Sequence, residues 1–197
     1  METLNIIADG SIIAIINAEK YNNTLTNQQS WTWKQLNDFI LVTNTDHLVT
    51  FATAWEDQWT IDFLINEQSS ESYFRKFEKS IEVTDGSLYL INWTDLTSSL
   101  QFENTKLPDA GNKDLKITIQ NGFYRVIVKQ LFDHEDDSYD PENKTSYIVE
   151  MICEAENPSI KNDEIIWTQG IPNDDTLFIS GEPNEFDDLL NKMLNER

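Results

Sequence analysis

Short apolar runs follow one another through the first 157 residues, each four to nine residues long, rich in Ile, Val, Thr and aromatic side chains and bounded by polar turns. Such runs predict strands at residues 4–7, 11–16, 39–43, 47–54, 60–65, 80–84, 87–92, 115–120, 123–130 and 146–154. In the run 115–120, Leu115, Ile117 and Ile119 alternate with Lys116, Thr118 and Gln120, so one face is apolar and the other wet. Asp9-Gly10, Asp85-Gly86 and Asn121-Gly122 each lie between two runs and predict three tight hairpins, because these residue pairs reach positive φ at little cost.

Past Pro158 the texture changes. Residues 164–167 and 176–179 read as two further strands, and Phe186, Leu189, Leu190, Met193 and Leu194 form the apolar stripe of a closing helix. Residues 33–39 are a second helical stretch, and residues 70–77 suit a turn or two between modules.

A repeat is superimposed on this pattern. Ile6-Ile-Ala-Asp9-Gly10-Ser11-Ile-Ile-Ala-Ile15 falls on Glu82-Val-Thr-Asp85-Gly86-Ser87-Leu-Tyr-Leu-Ile91 at an offset of 76, and residues 41–51 fall on 117–127 at the same offset. Residues 60–65 match 146–152 only if the second copy holds about ten additional residues, the acidic stretch 133–142. The expected architecture is mainly β: two related antiparallel β modules, residues 1–78 and 79–157, in one sandwich-like body, with residues 158–197 adding strands and a C-terminal helix.

Charge sharpens the picture. Fourteen Lys and Arg stand against 35 Asp and Glu, a net charge of -21, and the excess is uneven. From Asp133 onward, 18 acidic residues face four basic ones, so 14 of the 21 net charges lie in the last third. That surface repels nucleic acid and anionic lipid and speeds capture of cationic partners. With 39% hydrophobic and 11% aromatic residues the chain has the material for a core, so it is not a disordered acidic tail.

The chemistry-bearing residues are few. Cys153 is the single cysteine, excluding an internal disulfide, and its apolar surroundings read as those of a buried thiol. His47 stands beside a turn and His134 among carboxylates; neither is assigned a catalytic role. As a calcium loop the acidic stretch fails, with Ser138 where the turn glycine belongs and Lys144 where a bidentate glutamate belongs. No cofactor motif, signal segment or membrane span is read, and a soluble cytoplasmic protein is expected. The tryptophans suit core packing first and a binding surface second.

The order from Trp59 to Glu154 of a strand (Ile61-Asp-Phe-Leu-Ile), a Ser/Glu-rich link (Asn66 to Tyr73), an Asp85-Gly-Ser turn, an Asn121-Gly-Phe-Tyr turn and the strand beginning Tyr147-Ile-Val-Glu150 resembles the competence ComJ/Nin family. The resemblance covers about half of the chain and implies a bacterial inhibitor of a nuclease, or an immunity protein against a nuclease toxin. It carries no binding residues onto this sequence. From the charge, the expected partner is a basic protein, probed by Asp133, Glu135, Asp136, Asp137, Asp140 and Glu142 with Tyr139 as an aromatic anchor, and the protein is expected to be no enzyme. Two other readings stay open: a carbohydrate-binding module or carboxylate-based enzyme that uses exposed Trp, and an acidic scaffold.

Overall fold

Every residue of Ile12–Ile16 is buried, although the sequence there, Ile-Ile-Ala-Ile-Ile, shows no alternation. The computed structural model, which describes residues 1–24, 46–102, 105–136, 138–142, 144–160 and 164–167, explains this by layering. This strand, β2, lies in a sheet that is covered on both faces.

Among the described residues nine strands form two sheets. The five-stranded sheet has the order β1 (Glu2–Ile7), β4 (Gln58–Ile65), β9 (Thr145–Glu154), β8 (Gly122–Gln130) and β5 (Arg75–Val83). The four-stranded sheet has the order β3 (Leu48–Ala52), β2, β6 (Ser87–Asn92) and β7 (Lys116–Thr118). All pairings are antiparallel except β4 with β9, which run parallel with Ile61 opposite Tyr147 and Phe63 opposite Val149. The inner faces enclose one core, including Ile13, Ile15, Phe51, Trp59, Ile61, Phe63, Leu88, Leu90, Val126, Tyr147 and Val149. On the outer side of the four-stranded sheet, Ile12, Ala14, Ile16 and Ile91 meet α1 (Ala18–Thr24) and α2 (Trp93–Gln101) through Tyr21, Trp93, Leu96 and Leu100. Asn92 caps α2 by accepting the amide of Asp95 at 2.8 Å, and Asp95 adds negative charge to the first turn.

The chain path repeats. In each half a strand in the larger sheet (β1, β5) leads to one in the smaller (β2, β6), then a helix, its partner strand (β3, β7) and a return beside the first (β4, β8). The central β2–β6 pairing puts Ile13 opposite Asn92 and Ile16 opposite Tyr89, a register symmetric about an offset of 76 residues. β9 stands outside this symmetry, inserted between β4 and β8. By position in the sheets, β3 therefore corresponds to β7 and β4 to β8, whereas the sequence alignment sets residues 41–51 on 117–127 and 60–65 on 146–152. Strands from both halves share both sheets, and position 78 lies inside β5.

The three expected hairpins are sheet-to-sheet corners instead. Gly10, Gly86 and Gly122 have φ of 64°, 78° and 153°, so the turn chemistry is real. Yet each corner carries the chain from one sheet to the other, which places the inward faces of both flanking strands on the same core. Asn121 joins two corners, accepting the Gly86 amide and donating to the Thr84 carbonyl, both at 2.7 Å.

Where a turn or two is expected at 70–77, residues 66–74 form an extended link across the outside of β9 and β8 and residues 75–77 open β5. It is pinned where the Ser69 amide donates to Glu150 and Lys129 donates to the Ser69 carbonyl, over a buried Lys129–Glu150 ion pair at 2.5 Å. Residues 164–167 add one parallel bridge to the free edge of β3, Phe51 to Ile166, and Trp167 packs edge-on against Phe51 and Phe77. The expected strands at 39–43 and 176–179 and the helices at 33–39 and near the C-terminus lie outside the described residues. No described helix is long and apolar enough to cross a membrane.

Candidate protein-interaction site

The acidic stretch is the connection between β8 and β9, and its shape starts from one buried ring. Phe132, 4% exposed, stacks on Trp59 at 5.1 Å and on Tyr139 at 4.2 Å, with interplanar angles of 10° and 12°. The Tyr139 hydroxyl pairs with Ser146 Oγ at 3.1 Å, and the Leu131 amide donates to the Ser146 carbonyl at 3.0 Å. Tyr139 therefore anchors the loop to its own core, with Lys144 Nζ 5.5 Å from the ring centre.

Between these anchors the acidic side chains fold the loop. Asp133 accepts the Glu135 amide at 2.9 Å, Asp136 the Ser138 amide at 3.0 Å, and Asp140 the Glu142 amide at 3.0 Å. Each is an Asx turn, in which a short side chain substitutes for a backbone acceptor two residues away. Hydrogen bonds from the Ser138 hydroxyl and amide hold the Asp136 carboxyl below the ordinary aspartate range. Asp133, Glu135, Asp136, Asp140 and Glu142 are all exposed, and Asp137 lies outside the described residues.

Topology gives the loop an acidic neighbour that the sequence does not show. Because β4 runs parallel to β9, the start of β4 lies at the loop end of the sheet. An open cleft of about 470 Å³ forms there, lined by Asn5, Asp57, Gln58, Thr60, Asp140, Pro141 and Glu142. Asp57 thus joins Asp140 and Glu142 across a polar cleft whose lining includes no basic residue. Next to Asp57, Glu56 accepts the Gly10 amide at 2.8 Å. At the other end of the loop the ring of His134 lies 5.3 Å from that of Phe74, just before β5. The ridge thus runs across the sheet end from β5 to β1, about 19 Å at about 4.8 Å per strand.

Elsewhere the residues favour structure over catalysis. His47 Nε2 is 3.2 Å from Thr24 Oγ1 and its Nδ1 is 3.6 Å from Asp46, an order that imitates a nucleophile, base and carboxylate. The Thr24 hydroxyl, however, donates to the Tyr21 carbonyl at 2.9 Å, and His47 is 4% exposed. Burial lowers the His47 pKa despite Asp46 beside it. Burial alone would raise the Asp46 carboxyl, but Lys20, which bridges Asp46 and Glu82, holds it down. No group of three or more metal-ligating side chains occurs among the described residues. Trp59 and Trp93 are buried and Trp55 and Trp167 pack against the core, so none of the described tryptophans forms an exposed sugar platform. Cys153, read as buried, is exposed because it follows Met151, the last core residue of β9.

No family model matches the sequence, and no curated protein matches it. Two solved structures are similar to this chain. Crocagin biosynthetic gene J is 14% identical, covering 77% of this chain and 96% of that one with a TM-score of 0.52. ComJ, inhibitor of the DNA degrading activity of NucA, from Bacillus subtilis, is 12% identical, covering 78% of this chain and 96% of that one with a TM-score of 0.48. The resemblance to ComJ is weak in structure as in sequence. At these identities the likeness concerns the fold.

Proposed function

We propose that this protein is a non-enzymatic acidic inhibitor of the immunity type, which neutralises a basic nuclease or toxin by occupying its nucleic-acid cleft. The observation that carries this reading is the acidic ridge: carboxylates on a loop held by three Asx turns and an aromatic stack, continued by Asp57 across the cleft. A nuclease cleft is built to release counterions from a polyanion. A fixed row of carboxylates draws on the same release of counterions and offers no phosphodiester to cut. ComJ too is an inhibitor of a DNA degrading activity, but the proposal rests on the ridge.

The test is inhibition of plasmid degradation by a panel of purified basic bacterial nucleases, NucA among them. At least one nuclease is expected to be inhibited stoichiometrically, more weakly as salt rises. The triple variant D133K/E135K/D136K should then lose at least tenfold in affinity, mostly through slower association. Lack of inhibition across the panel, or inhibition indifferent to the reversals, overturns the reading.

A further inference from the structure

We infer that Phe74, at the β5 end of the acidic ridge, is the apolar anchor of this interface, and that the partner offers an apolar pocket rimmed by lysine or arginine. The inference rests on the proposed function and adds to it the part of the contact that charge does not supply. Phe74 is 45% exposed, one of few large apolar side chains so placed among the described residues. It is also held in place. Its amide donates to the Gln130 carbonyl at 2.8 Å, extending the β5–β8 ladder by one residue, and its ring meets the edge of His134. The Nδ1 atom of His134 is buried without a hydrogen-bond partner and lies 3.9 Å from Asp133, so the imidazole wedges between the ring and the first carboxylate of the ridge.

The cations beside Phe74 are engaged. Arg75 lies 4.4 Å over the Trp167 ring and donates to Gln130, while Lys76 is paired with Glu78 and lies near the Tyr73 ring. What Phe74 presents to a partner is therefore an apolar ring against His134, whose chain neighbours Asp133 and Glu135 are both exposed carboxylates. A fixed aromatic group loses little conformational freedom on burial, and such groups dominate interface energetics. Charge complementarity selects a basic surface over a second copy of this chain, which would bring two acidic ridges together.

The probe is the nuclease of the panel that is inhibited most strongly, measured by association and dissociation rates at several salt concentrations. Phe74→Ala should speed dissociation at least tenfold and leave the association rate and salt slope nearly unchanged, while Phe74→Trp stays within about threefold of wild type. Both variants should melt as the wild type does, since the ring is half exposed. If Phe74→Ala binds like wild type while D133K/E135K/D136K does not, the anchor is wrong and the acidic inhibitor stands. If no nuclease is inhibited, the functional reading itself fails. Concentration-dependent self-association that Phe74→Ala abolishes would assign the Phe74 ring to a second copy and overturn the inference.

Discussion

Gly10 and Gly86 occupy matching places in the repeated Asp-Gly-Ser corners, yet their surroundings differ. Both have positive φ, so a Cβ at either is strained by about 1–2 kcal/mol. At Gly86 the nearest atom to such a Cβ is the Ile119 carbonyl oxygen at 3.8 Å, whereas at Gly10 it would stand 2.7 Å from Trp93 Cδ1. Trp93 opens α2 and is packed between the helix and the four-stranded sheet, so the ring has little room to retreat. Gly10→Ala is therefore expected to destabilise the fold by about 1–3 kcal/mol more than Gly86→Ala. Urea unfolding of the two variants checks this, and equal midpoints would show that the corner conformation alone matters.

The β8–β9 loop behaves as an element in its own right, because aromatic packing fixes its base and carboxylates fold its crown. Tyr139 is the joint. Tyr139→Phe removes only the hydroxyl pairing with Ser146, about 0.5–1.5 kcal/mol. Tyr139→Ala removes the ring stacked on Phe132 as well, leaving the crown with its Asx turns and backbone hydrogen bonds but no aromatic anchor. A glutamate-specific protease should then cut at Glu135 and Glu142 at least tenfold faster than in wild type, with Tyr139→Phe close to wild type; equal cutting of Tyr139→Ala would refute the anchoring role. This same residue shows what the sequence can and cannot convey. Composition marked the stretch 133–142 as acidic and Tyr139 as its aromatic member, but the direction of the ring depends on Trp59 and Phe132, brought together by pairing β4 with β9. The part of Asp57 in the cleft was hidden for the same reason, since a parallel neighbour 80-odd residues away leaves no local trace. Strand positions were legible from apolar runs, and Asp-Gly and Asn-Gly marked real turns. Whether a turn closes a hairpin or a sheet corner is decided by which faces need cover, a property of the whole core. The helices α1 and α2 were missed because each is short, seven and nine residues, and is held by packing on Ile12, Ile16 and Ile91 rather than by a long periodic stripe.

At the scale of the whole molecule, the repeated path does not yield two independent bodies. The central β2–β6 pair joins the halves in one sheet, and β9 from the second half pairs with β4 from the first in the other. Cutting the chain between Glu71 and Ser72 severs only the outer link, leaving intact every strand and the Lys129–Glu150 contact beneath it. The first fragment would keep two two-stranded pairs, β1 with β4 and β2 with β3, whose apolar faces, including Ile13, Phe51, Trp59 and Ile61, lose their cover. Isolated strand pairs of this size are marginal in water. Each fragment alone should therefore lack a cooperative thermal transition, and mixing the two should restore one, with a midpoint that rises with fragment concentration as association requires. Circular dichroism and calorimetry read both outcomes. A cooperative transition in either fragment alone would mean that half of this sandwich closes its own core. Restored folding on mixing would place the stabilising contacts in the β2–β6 and β4–β9 seams, with the covalent link contributing mainly a high effective concentration.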